Sequence, residues 1–359
     1  MEKKCAIRME NITKRFGSKV IANKDVNLEL YEGEILSLLG ENGSGKTTLM
    51  NMLSGIYFPD EGQIYVHDKP VTIASPKDAF DLGIGMIHQH FKLVDLFTAT
   101  ENIILGLEGK LDLNNARQKV KDICDKYGFD IDPDMKIYDM SVSQKQTVEI
   151  VKVLYRGADI LILDEPTAVL TPQETDKLFA VMRNMKADGK SLIIITHKLH
   201  EVLDVSDRVA VLRKGEYIGD VLTKDADQQS LTDMMVGHSV SLNINRPTPV
   251  NVEPRLKIEG LTVFDELGVK RLDNVSFTVN AGEVLGVAGI EGNGQTPLAQ
   301  ALLGLRRSSS GSILLDGREI TGRTTKQIRD AGVGSIPDDR QGMGLILSMR
   351  LFENMLLNS

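Results

Sequence analysis

The chain has 359 residues, of which 50 are acidic and 42 are basic, so its formal net charge is −8 at pH 7. This acidic balance argues against a general nucleic-acid binder, whose surface would carry an excess of lysine and arginine. Two cysteines, a polar N-terminus and apolar runs far shorter than about 20 residues argue against a disulfide scaffold, a signal peptide and a membrane-spanning helix.

The first predicted element is a β-hairpin. Residues 8–30 alternate apolar and polar side chains around a turn at residues 16–18. Phe16 beside this turn is either a core residue of the hairpin or an aromatic ring that stacks on a nucleotide base. Residues 33–39 then predict a short buried strand.

A glycine-rich loop follows that strand and fits the phosphate-binding pattern G-x-x-x-x-G-K-[ST] without a mismatch. Its residues are Gly40, Glu41, Asn42, Gly43, Ser44, Gly45, Lys46 and Thr47, and Thr48 leads into a predicted helix. Glycines let main-chain N–H groups point at phosphate oxygens. Lys46 would reach the β- and γ-phosphates, and the Thr47 hydroxyl would bind Mg²⁺. The order strand, loop and helix favours a nucleotide site over a chance glycine-rich turn.

The next predicted strand, at residues 85–87, ends in a polar cluster, His88-Gln89-His90. Two histidines at this spacing, without a nearby cysteine or carboxylate, are a weak indication of a metal site. The Gln89 amide is better suited to binding Mg²⁺ or orienting water. Residues 99–138 are then expected to be helical, with a second helix over residues 115–127.

A serine-rich segment, residues 140–146, precedes a predicted helix over residues 147–155. Such a segment is either a simple helix cap or a helix end that presents N–H groups to the phosphate of another molecule. The residues in question are Ser141, Val142, Ser143 and Gln144.

Two acids follow the apolar strand at residues 160–163. Asp164 is placed to hold the water shell of Mg²⁺, and Glu165 is placed to polarise an attacking water. A further strand, residues 191–196, ends at His197. Because ligands of open α/β sheets lie outside the carboxyl ends of the strands, we expect His197 to face the same crevice and contact a γ-phosphate.

The sequence repeats itself at a constant offset of 249 residues, which carries Gly40 onto Gly289 and Gly83 onto Gly332. This repeat predicts two copies of one domain. We expect a complete first domain at residues 1–242, a proline-bearing linker at 243–253, and a second domain at 254–359. The second copy is expected to be partial, because it stops where the first has reached residue 107; truncation of a longer product is favoured over pairing of two such chains.

Taken together, these segments resemble the ATP-binding subunit of an ABC importer, in the tandem-domain branch that takes up simple sugars and nucleosides. The resemblance covers essentially the whole chain. Three strings are similar to the purine-nucleoside type: residues 88–91, 154–159 and 167–172. The resemblance implies an α/β fold of the P-loop NTPase class, in which an ABC nucleotide-binding domain with a β-rich and a helical subdomain is duplicated.

The resemblance also implies roles for individual residues. Phe16 would stack on adenine, and the residues 40–48 would bind ATP. Gln89, Glu165 and His197 would be catalytic, with Gln89 sensing both Mg²⁺ and the membrane subunit, Glu165 acting as the base and His197 as the γ-phosphate sensor. The Mg²⁺ donors would be Thr47, Gln89 and Asp164. The signature motif, Ser141 to Gln144, would close over ATP held by another domain.

The cofactors that follow from the resemblance are ATP and Mg²⁺. The implied partners are integral membrane permease subunits, an extracytoplasmic solute-binding protein and a second nucleotide-binding domain, with no nucleic acid. The implied location is the cytoplasmic face of the cell membrane, where a peripheral ATPase would energise import.

Several positions depart from the family pattern. Ser143 stands where glycine is usual, and Met140 where leucine is usual. In the second copy Gln295 replaces the loop lysine, Pro297 replaces Thr48 and Asp338 replaces Gln89. Losing the charge-assisted contact of a lysine to phosphate costs about 1.5–3 kcal/mol, so the second loop is expected to be a nucleotide-binding or structural half at most.

Two alternative functions stay open at this stage. One is a tandem ATPase that acts on ribosomes, although the short linker around Pro247 and Pro249 argues against the long charged linker of that class. The other is a remnant that binds nucleotide without turnover.

Overall fold

The computed structural model describes residues 4–17, 19–89, 91–107, 112–238, 252–265, 267–289 and 292–357. The chain divides into two compact units, residues 1–243 and 244–359. Each unit has its own cluster of buried apolar side chains. The linker expected at residues 243–253 lies almost entirely outside the described residues.

The first unit alternates strands and helices after an initial hairpin. In chain order its described elements are β1 (Cys5–Phe16), β2 (Val20–Tyr31), β3 (Ile35–Leu39), α1 (Lys46–Leu53), β4 (Glu61–Val66), β5 (Lys69–Val71), α2 (Pro76–Asp81), β6 (Ile84–Ile87), α3 (Ala99–Ile104), α4 (Leu113–Tyr127), α5 (Val142–Tyr155), β7 (Ile160–Asp164), α6 (Pro172–Ala187), β8 (Ser191–Thr196), α7 (Leu199–Val205), β9 (Arg208–Arg213), β10 (Glu216–Leu222) and α8 (Gln228–Val236).

An antiparallel sheet in the order β2-β1-β4-β5 forms one layer of this unit. Strands β1 and β2 are the predicted hairpin, with Phe16 opposite Val20 at the end of the ladder. Alternation places the side chains of Ile7 and Met9 in the core, and an irregularity of the ladder between Met9 and Ile12 brings Ile12 to the same face. The hairpin prediction is therefore confirmed.

A second sheet, in the order β10-β9-β3-β8-β7-β6, forms the centre of the unit. Strand β3 runs parallel to both β8 and β9, and β7 runs parallel to β6 and β8. Strands β3, β7 and β8 are buried along their whole length, as their unbroken apolar sequences require in a sheet covered on both faces. Their carboxyl ends meet at one edge, which positions the residues that follow them.

Three helices, α3, α4 and α5, pack around a separate apolar cluster and form the helical part of the unit. The expectation of helix from residue 99 to residue 138 is wrong in detail. Helix α3 ends at Ile104, and α4 ends at Tyr127 because Gly128 adopts a left-handed conformation with φ 84°. Helix α5 begins at Val142, five residues earlier than predicted, because Ser141 caps it through the main-chain N–H of Gln144.

The second unit repeats the antiparallel layer and the helix after the loop. Its described elements are β11 (Pro254–Phe264), β12 (Lys270–Asn280), α9 (Gln295–Leu302), β13 (Ser310–Leu315), β14 (Arg318–Glu319), α10 (Thr325–Asp330) and α11 (Leu351–Leu356). The sheet order is β12-β11-β13-β14, which matches β2-β1-β4-β5.

The repeat does not extend to the central strand. Residues 284–288 correspond to β3 but form no strand, and the side chain of Val284 is 96% exposed. In the first unit β3 is held by β8 and β9 on either side, whereas the described part of the second unit offers no such neighbours. A strand without hydrogen-bonded partners is not stable.

No helix within the described ranges combines the length and the apolar character needed to cross a bilayer.

Candidate nucleotide site

The loop between β3 and α1 is held against the main chain of two other strands. A Cβ atom on Gly40 would lie 2.3 Å from the carbonyl oxygen of Leu212, and one on Gly45 would lie 2.4 Å from that of Ala22. Gly45 also has φ 96°, in the left-handed region that favours glycine. These two glycines are therefore required by close approach, and by the turn that starts α1 at Lys46.

Lys46 folds back over the loop that carries it. Its Nζ donates hydrogen bonds to the carbonyl oxygens of Gly40, at 2.7 Å, and Glu41, at 2.9 Å. Burial lowers the pKa of Lys46, while the nearby Glu165 and Asp164 carboxylates act in the opposite direction. The ammonium thus lies within the field of both acids.

The loop fits a phosphate group on the chemistry of its own donors. The Ser44 hydroxyl is buried and has no hydrogen-bond partner among the described residues. A buried polar group without a partner is destabilising, and a phosphate oxygen would satisfy it. With the N-terminal N–H groups of α1 and the Lys46 ammonium, this hydroxyl completes a donor set for an anion.

The two predicted acids stand at the end of β7, beside the loop. Burial raises the pKa of Asp164, while the neighbouring Thr47 hydroxyl and Lys46 charge act in the opposite direction. The Glu165 main-chain N–H donates to the carbonyl oxygen of Ile195 at 2.9 Å. This bond ties Glu165 to the end of β8.

Glu165 and His197 form a direct pair. The Glu165 Oε1 atom lies 2.8 Å from Nδ1 of His197, which directly follows β8. Glu165 has φ 48°, a left-handed conformation that is uncommon outside glycine, asparagine and aspartate. The structure therefore brings Lys46, Thr47, Asp164, Glu165 and His197 together at one edge of the central sheet.

Gln89 reaches the same place from the neighbouring strand β6. It lines a small cavity of about 90 Å³ with Asp164, Glu165 and Gln146. His90, the other half of the histidine pair in the sequence, lies outside the described residues. His88 lines this cavity and also a second one of about 250 Å³, and burial lowers its pKa.

Within the described ranges no group of three or more histidine, cysteine, aspartate or glutamate side chains could hold a metal ion. The donors at this edge are instead a hydroxyl, one carboxylate and one amide, from Thr47, Asp164 and Gln89. Mg²⁺ is commonly held by one or two carboxylates together with substrate phosphates and water. The donor set therefore fits Mg²⁺ in the presence of a phosphate ligand.

Phe16 lies at the end of the hairpin whose strand β2 contacts the loop through Ala22. Its ring packs edge-on against Tyr57, with 5.2 Å between ring centroids, and the Phe16 side chain remains 40% exposed. Both sequence interpretations remain compatible with this position, because the ring is partly packed and partly open.

The segment from Ser141 to Gln144 forms the first turn of α5 and lies apart from these groups. Ser141 and Gln144 form a reciprocal capping box, and Val142 is exposed. The turn lines a cavity of about 570 Å³ between α5 and α6, whose lining contains no residue of the phosphate loop. Within the described chain, the structure does not join this segment to Lys46.

Two residues that support the site were not predicted. Asn23 is fully buried, and its Nδ2 atom donates to the carbonyl oxygen of Gly45 at 3.3 Å. Gln146 is also buried, and its Nε2 atom donates to the carbonyl oxygen of Pro166 at 2.7 Å. The available signal was a polar residue at an inward-facing position of a strand or helix.

In the second unit, the described end of the corresponding loop repeats the backbone conformation before the helix but lacks the lysine. Gly294 has φ 107°, close to the φ 96° of Gly45. The Gln295 side chain lies over Gly289, where a Cβ atom would be 2.2 Å from its Nε2. A neutral amide thus occupies the place that Lys46 takes in the first unit.

A family model described as ABC transporter matches residues 23–168 and 272–354. The chain is 48% identical over 363 residues to a nucleoside import ATP-binding protein of Lactococcus lactis, covering 100% of this chain and 72% of that protein. It is 48% identical over 357 residues to a guanosine import ATP-binding protein of Bacillus subtilis, covering 98% and 70%. A ribose import ATP-binding protein of Clostridium tetani is 38% identical over 363 residues, covering 99% and 71%.

Solved structures share the fold of about two thirds of the chain. The ADP conformation of an ATP-binding cassette of an ABC transporter superposes with a TM-score of 0.56 at 27% identity, covering 65% of this chain and 95% of that one. A component of an ABC transporter complex from Clostridium perfringens gives a TM-score of 0.56 at 28% identity, covering 62% and 90%. The expected α/β cassette fold is confirmed.

Proposed function

Because this chain belongs to the ABC transporter family, we propose that its phosphate loop binds ATP, whose hydrolysis drives import of a nucleoside. The chain is an ATP-binding subunit of an importer for simple sugars or nucleosides, and an ATPase coupled to that transport. The ribosome-acting alternative finds no support in the relatives. The structural observation that carries the catalytic part is the convergence of Lys46, Thr47, Asp164 and Glu165 at one sheet edge.

The nucleoside proposal rests on the relatives. Two proteins at 48% identity are named for nucleoside and guanosine import, while a relative named for glucose import is 42% identical. The relatives named for ribose import reach 40%. Uptake of labelled guanosine by cells carrying the whole system, competed by unlabelled nucleosides and by ribose, tests this choice. Competition by ribose alone would contradict it.

ATP binding is assigned to the loop of the first unit. The N–H groups of residues 40–48 and the Lys46 ammonium would hold the phosphates, and the exposed part of the Phe16 ring would stack on adenine. Thr47, Asp164 and Gln89 would hold Mg²⁺, which supplies charge neutralisation at the phosphates. The unpartnered Ser44 hydroxyl supports the phosphate position.

Hydrolysis is assigned to the pair Glu165 and His197. A carboxylate at this position accepts a proton from an attacking water as that water becomes a nucleophile. His197 Nδ1, 2.8 Å from Glu165 Oε1, fixes the carboxylate, and its other ring nitrogen remains for a phosphate oxygen.

The partner of the chain is a membrane permease, and the chain acts on the cytoplasmic side of the membrane. We further propose that this permease docks on the first unit beside Gln89. A cavity of about 250 Å³ lies there, lined by His88, Lys92, Leu105 and Arg156. The segment that follows Lys92 exposes three apolar side chains, Val94, Leu96 and Phe97. The extracytoplasmic solute-binding protein would contact the permease and not this chain.

The serine-rich turn is proposed to act in trans. A second nucleotide-binding domain would offer its phosphates to the first turn of α5, where Ser141 and Ser143 carry hydroxyl donors. This turn lies apart from the phosphate loop of the same unit, so the two do not form one binding site within the unit. That separation supports an arrangement in which the turn binds a nucleotide held by another domain.

The experiment that tests the function compares the wild type with two site variants and one control variant. Lys46→Ala removes the phosphate contact and should weaken ATP binding at least about tenfold, consistent with the value of a charge-assisted hydrogen bond. Glu165→Gln should keep ATP affinity and lose at least about a hundredfold in hydrolysis, because the amide cannot accept the proton. Nucleotide affinity is measured with a fluorescent ATP analogue, and turnover by phosphate release in the membrane complex.

Lys77→Ala, on the outer surface of α2, is the matched control for loss of a lysine. Equal ATP affinity of the wild type and the Lys46→Ala variant would refute the binding assignment. Undiminished hydrolysis by Glu165→Gln would remove Glu165 from the role of base. Binding without any turnover in the wild-type complex would instead support the nucleotide-binding remnant.

A further inference from the structure

A buried acid in the first turn of α7 joins the two chain segments that carry Glu165 and His197. The side chain of this acid, Glu201, is only 4% exposed. Thr167, two residues after Glu165, donates a hydrogen bond from its hydroxyl to Glu201 Oε2 at 2.6 Å. Thr196, the residue before His197, donates to the same oxygen at 3.4 Å. One carboxylate therefore links the chain that leaves β7 to the end of β8.

Lys198 completes this group, and Thr167, Thr196, Lys198 and Glu201 together form what we call the Glu201 cluster. Lys198 Nζ lies 3.0 Å from Glu201 Oε1, and it donates to the Thr167 carbonyl oxygen at 2.9 Å and to the Thr167 hydroxyl at 3.2 Å. The Lys198 main-chain N–H donates to the Thr196 hydroxyl at 3.1 Å. Each threonine hydroxyl thus accepts from Lys198 while its own proton points to Glu201, because a carboxylate only accepts.

The cluster is better suited to fixing geometry than to adding stability. A buried ion pair contributes little net stability compared with apolar side chains of similar size, since desolvation offsets the attraction. Its hydrogen bonds nevertheless require narrow distances and angles, so they fix the relative position of the segments that they join. Both threonines are buried as well, which leaves their hydroxyls little water to bond with instead.

The chain at Glu165 needs such a restraint. Its φ of 48° is uncommon for a residue with a side chain, and a conformation of this kind persists only where the surrounding structure holds it. The Glu165 main-chain N–H is bonded to β8 through Ile195, and the cluster holds the chain two residues further on. Because His197 directly follows Thr196, the same cluster also fixes the other member of the pair.

We propose that Glu201 is a positioning residue for ATP hydrolysis, which acts through Thr167 and Lys198 to set the separation of Glu165 and His197. Glu201 does not line the cavity beside Gln89 and Glu165, so it acts through the chain and not on the phosphate. This inference rests on the proposed function, because it requires Glu165 to be the base.

The first experiment measures ATP hydrolysis against ATP concentration in the native membrane complex. Glu201→Gln keeps the size of the side chain, but it removes the charge beside Lys198 and places a donor where only an acceptor fits. A misplacement of about 1 Å at a reacting group can cost about a hundredfold in rate. We expect kcat to fall at least about tenfold, with the KM for ATP unchanged. Within the described residues, no member of the cluster is hydrogen-bonded to the phosphate loop.

Two variants of Thr167 separate the hydroxyl from the volume of the side chain. Thr167→Val has nearly the same shape but no hydroxyl, so kcat should fall. Thr167→Ser keeps the hydroxyl, so kcat should return towards the wild-type value. In the Glu201→Gln background the valine change should have little further effect, because the two residues act through one contact.

Glu34→Gln is the matched control. Glu34 is 5% exposed, and its Oε1 atom accepts a hydrogen bond from Arg208 Nε at 2.9 Å. It directly precedes β3, at the end of that strand opposite to the phosphate loop. The change therefore removes a buried, ion-paired carboxylate of the same unit away from the site. It should lower the melting temperature and leave kcat unchanged.

A kcat for Glu201→Gln equal to that of Glu34→Gln would overturn this inference and leave the proposed function intact. Equal kcat values for Thr167→Val and Thr167→Ser would also overturn it, and this pair decides the question if melting curves show that Glu201→Gln is not folded. Loss of ATP affinity as large as the loss of kcat would likewise count against a positioning role. Undiminished hydrolysis by Glu165→Gln would instead overturn the proposed role of Glu165, whatever the cluster variants show.

Discussion

Gly45 shows how tightly single residues of the phosphate loop are constrained. Its φ of 96° disfavours any residue with a Cβ, and its Cβ would lie 2.4 Å from a main-chain oxygen and 2.7 Å from the Asn23 side chain. Gly43 has a similar φ, 80°, but nothing within 4 Å of a Cβ. An alanine at position 43 would suffer backbone strain alone, whereas an alanine at position 45 would suffer both strain and a steric clash.

We expect Gly45→Ala to lower the free energy of unfolding clearly more than Gly43→Ala does. Strain alone costs about 1–2 kcal/mol, and the alanine at position 45 must also displace the carbonyl of Ala22. The change should weaken ATP binding as well, because the loop moves. Chemical denaturation and nucleotide titration of both variants measure these effects, and equal losses would contradict the packing argument.

At the scale of the residue, the sequence predicts which residues belong to the candidate site better than it predicts the conformation of their side chains. Lys46, Thr47, Asp164 and Glu165 follow from the loop pattern and from acids placed after a buried strand. The inward fold of Lys46 and the contact of Asn23 with the loop do not, because they depend on segments that are distant in the chain.

Helix α5 connects the helical part of the first unit to the acids at the sheet edge. The Gln146 side chain donates to the carbonyl oxygen of Pro166, two residues after Asp164. This bond lies between the second turn of α5 and the chain that leaves β7. A movement of α5 would therefore displace the chain at Glu165.

Gln146→Ala should lower the free energy of unfolding by about 1–3 kcal/mol, since it leaves a buried carbonyl without a partner. It should also reduce ATP turnover more than ATP affinity, because the acids lose support while the phosphate loop does not. Gln118→Ala, on the exposed face of α4, is the control and should change neither. Melting curves and steady-state kinetics give the comparison.

The fully buried strands of the first unit could be predicted because each is a run of mostly apolar residues. The ends of its helices were missed because they are set by single capping residues or by turns. Apolar runs gave β3, β7 and β8 correctly. The start of α5 depends on the Ser141 cap, and the gap between α3 and α4 on local turns, and neither leaves an apolar periodicity.

At the scale of the molecule, the repeat predicted two copies but not how much of the second would fold alike. Its antiparallel layer forms because β11, β12 and β13 pair with one another. The segment matching β3 forms no strand, because the described part of the second unit contains no strands equivalent to β8 and β9 to pair with it. Those partners lie far along the chain, so similarity within the repeated segment does not predict whether they are present.

The folded chain should lose stability in alkaline solution. Burial raises the pKa of the Cys124 thiol to about 11 from its ordinary value of 9.0, and burial together with Glu29 raises that of Cys5 to about 11. The folded state therefore keeps protons that the unfolded state has lost. This stabilisation is complete below pH 9, and it disappears as the pH rises through 11.

The melting temperature should thus fall between pH 9 and pH 11. The Cys124→Ala variant should begin from a lower melting temperature at pH 7, because it loses core volume, and should fall less over the alkaline range. Differential scanning calorimetry of the two proteins measures the slopes, and parallel slopes would exclude Cys124 as a cause.

At Glu165 the left-handed backbone favours glycine for stability, whereas the proposed reaction requires a carboxylate. A backbone with φ 48° is strained for any residue that has a Cβ atom, whereas glycine adopts it without this cost in free energy. The most stable version of this turn would therefore be one that cannot activate water. The fold carries a local weakness at the residue where the proposed reaction needs its carboxylate, and the paired strands β7 and β8 provide the stability that tolerates it.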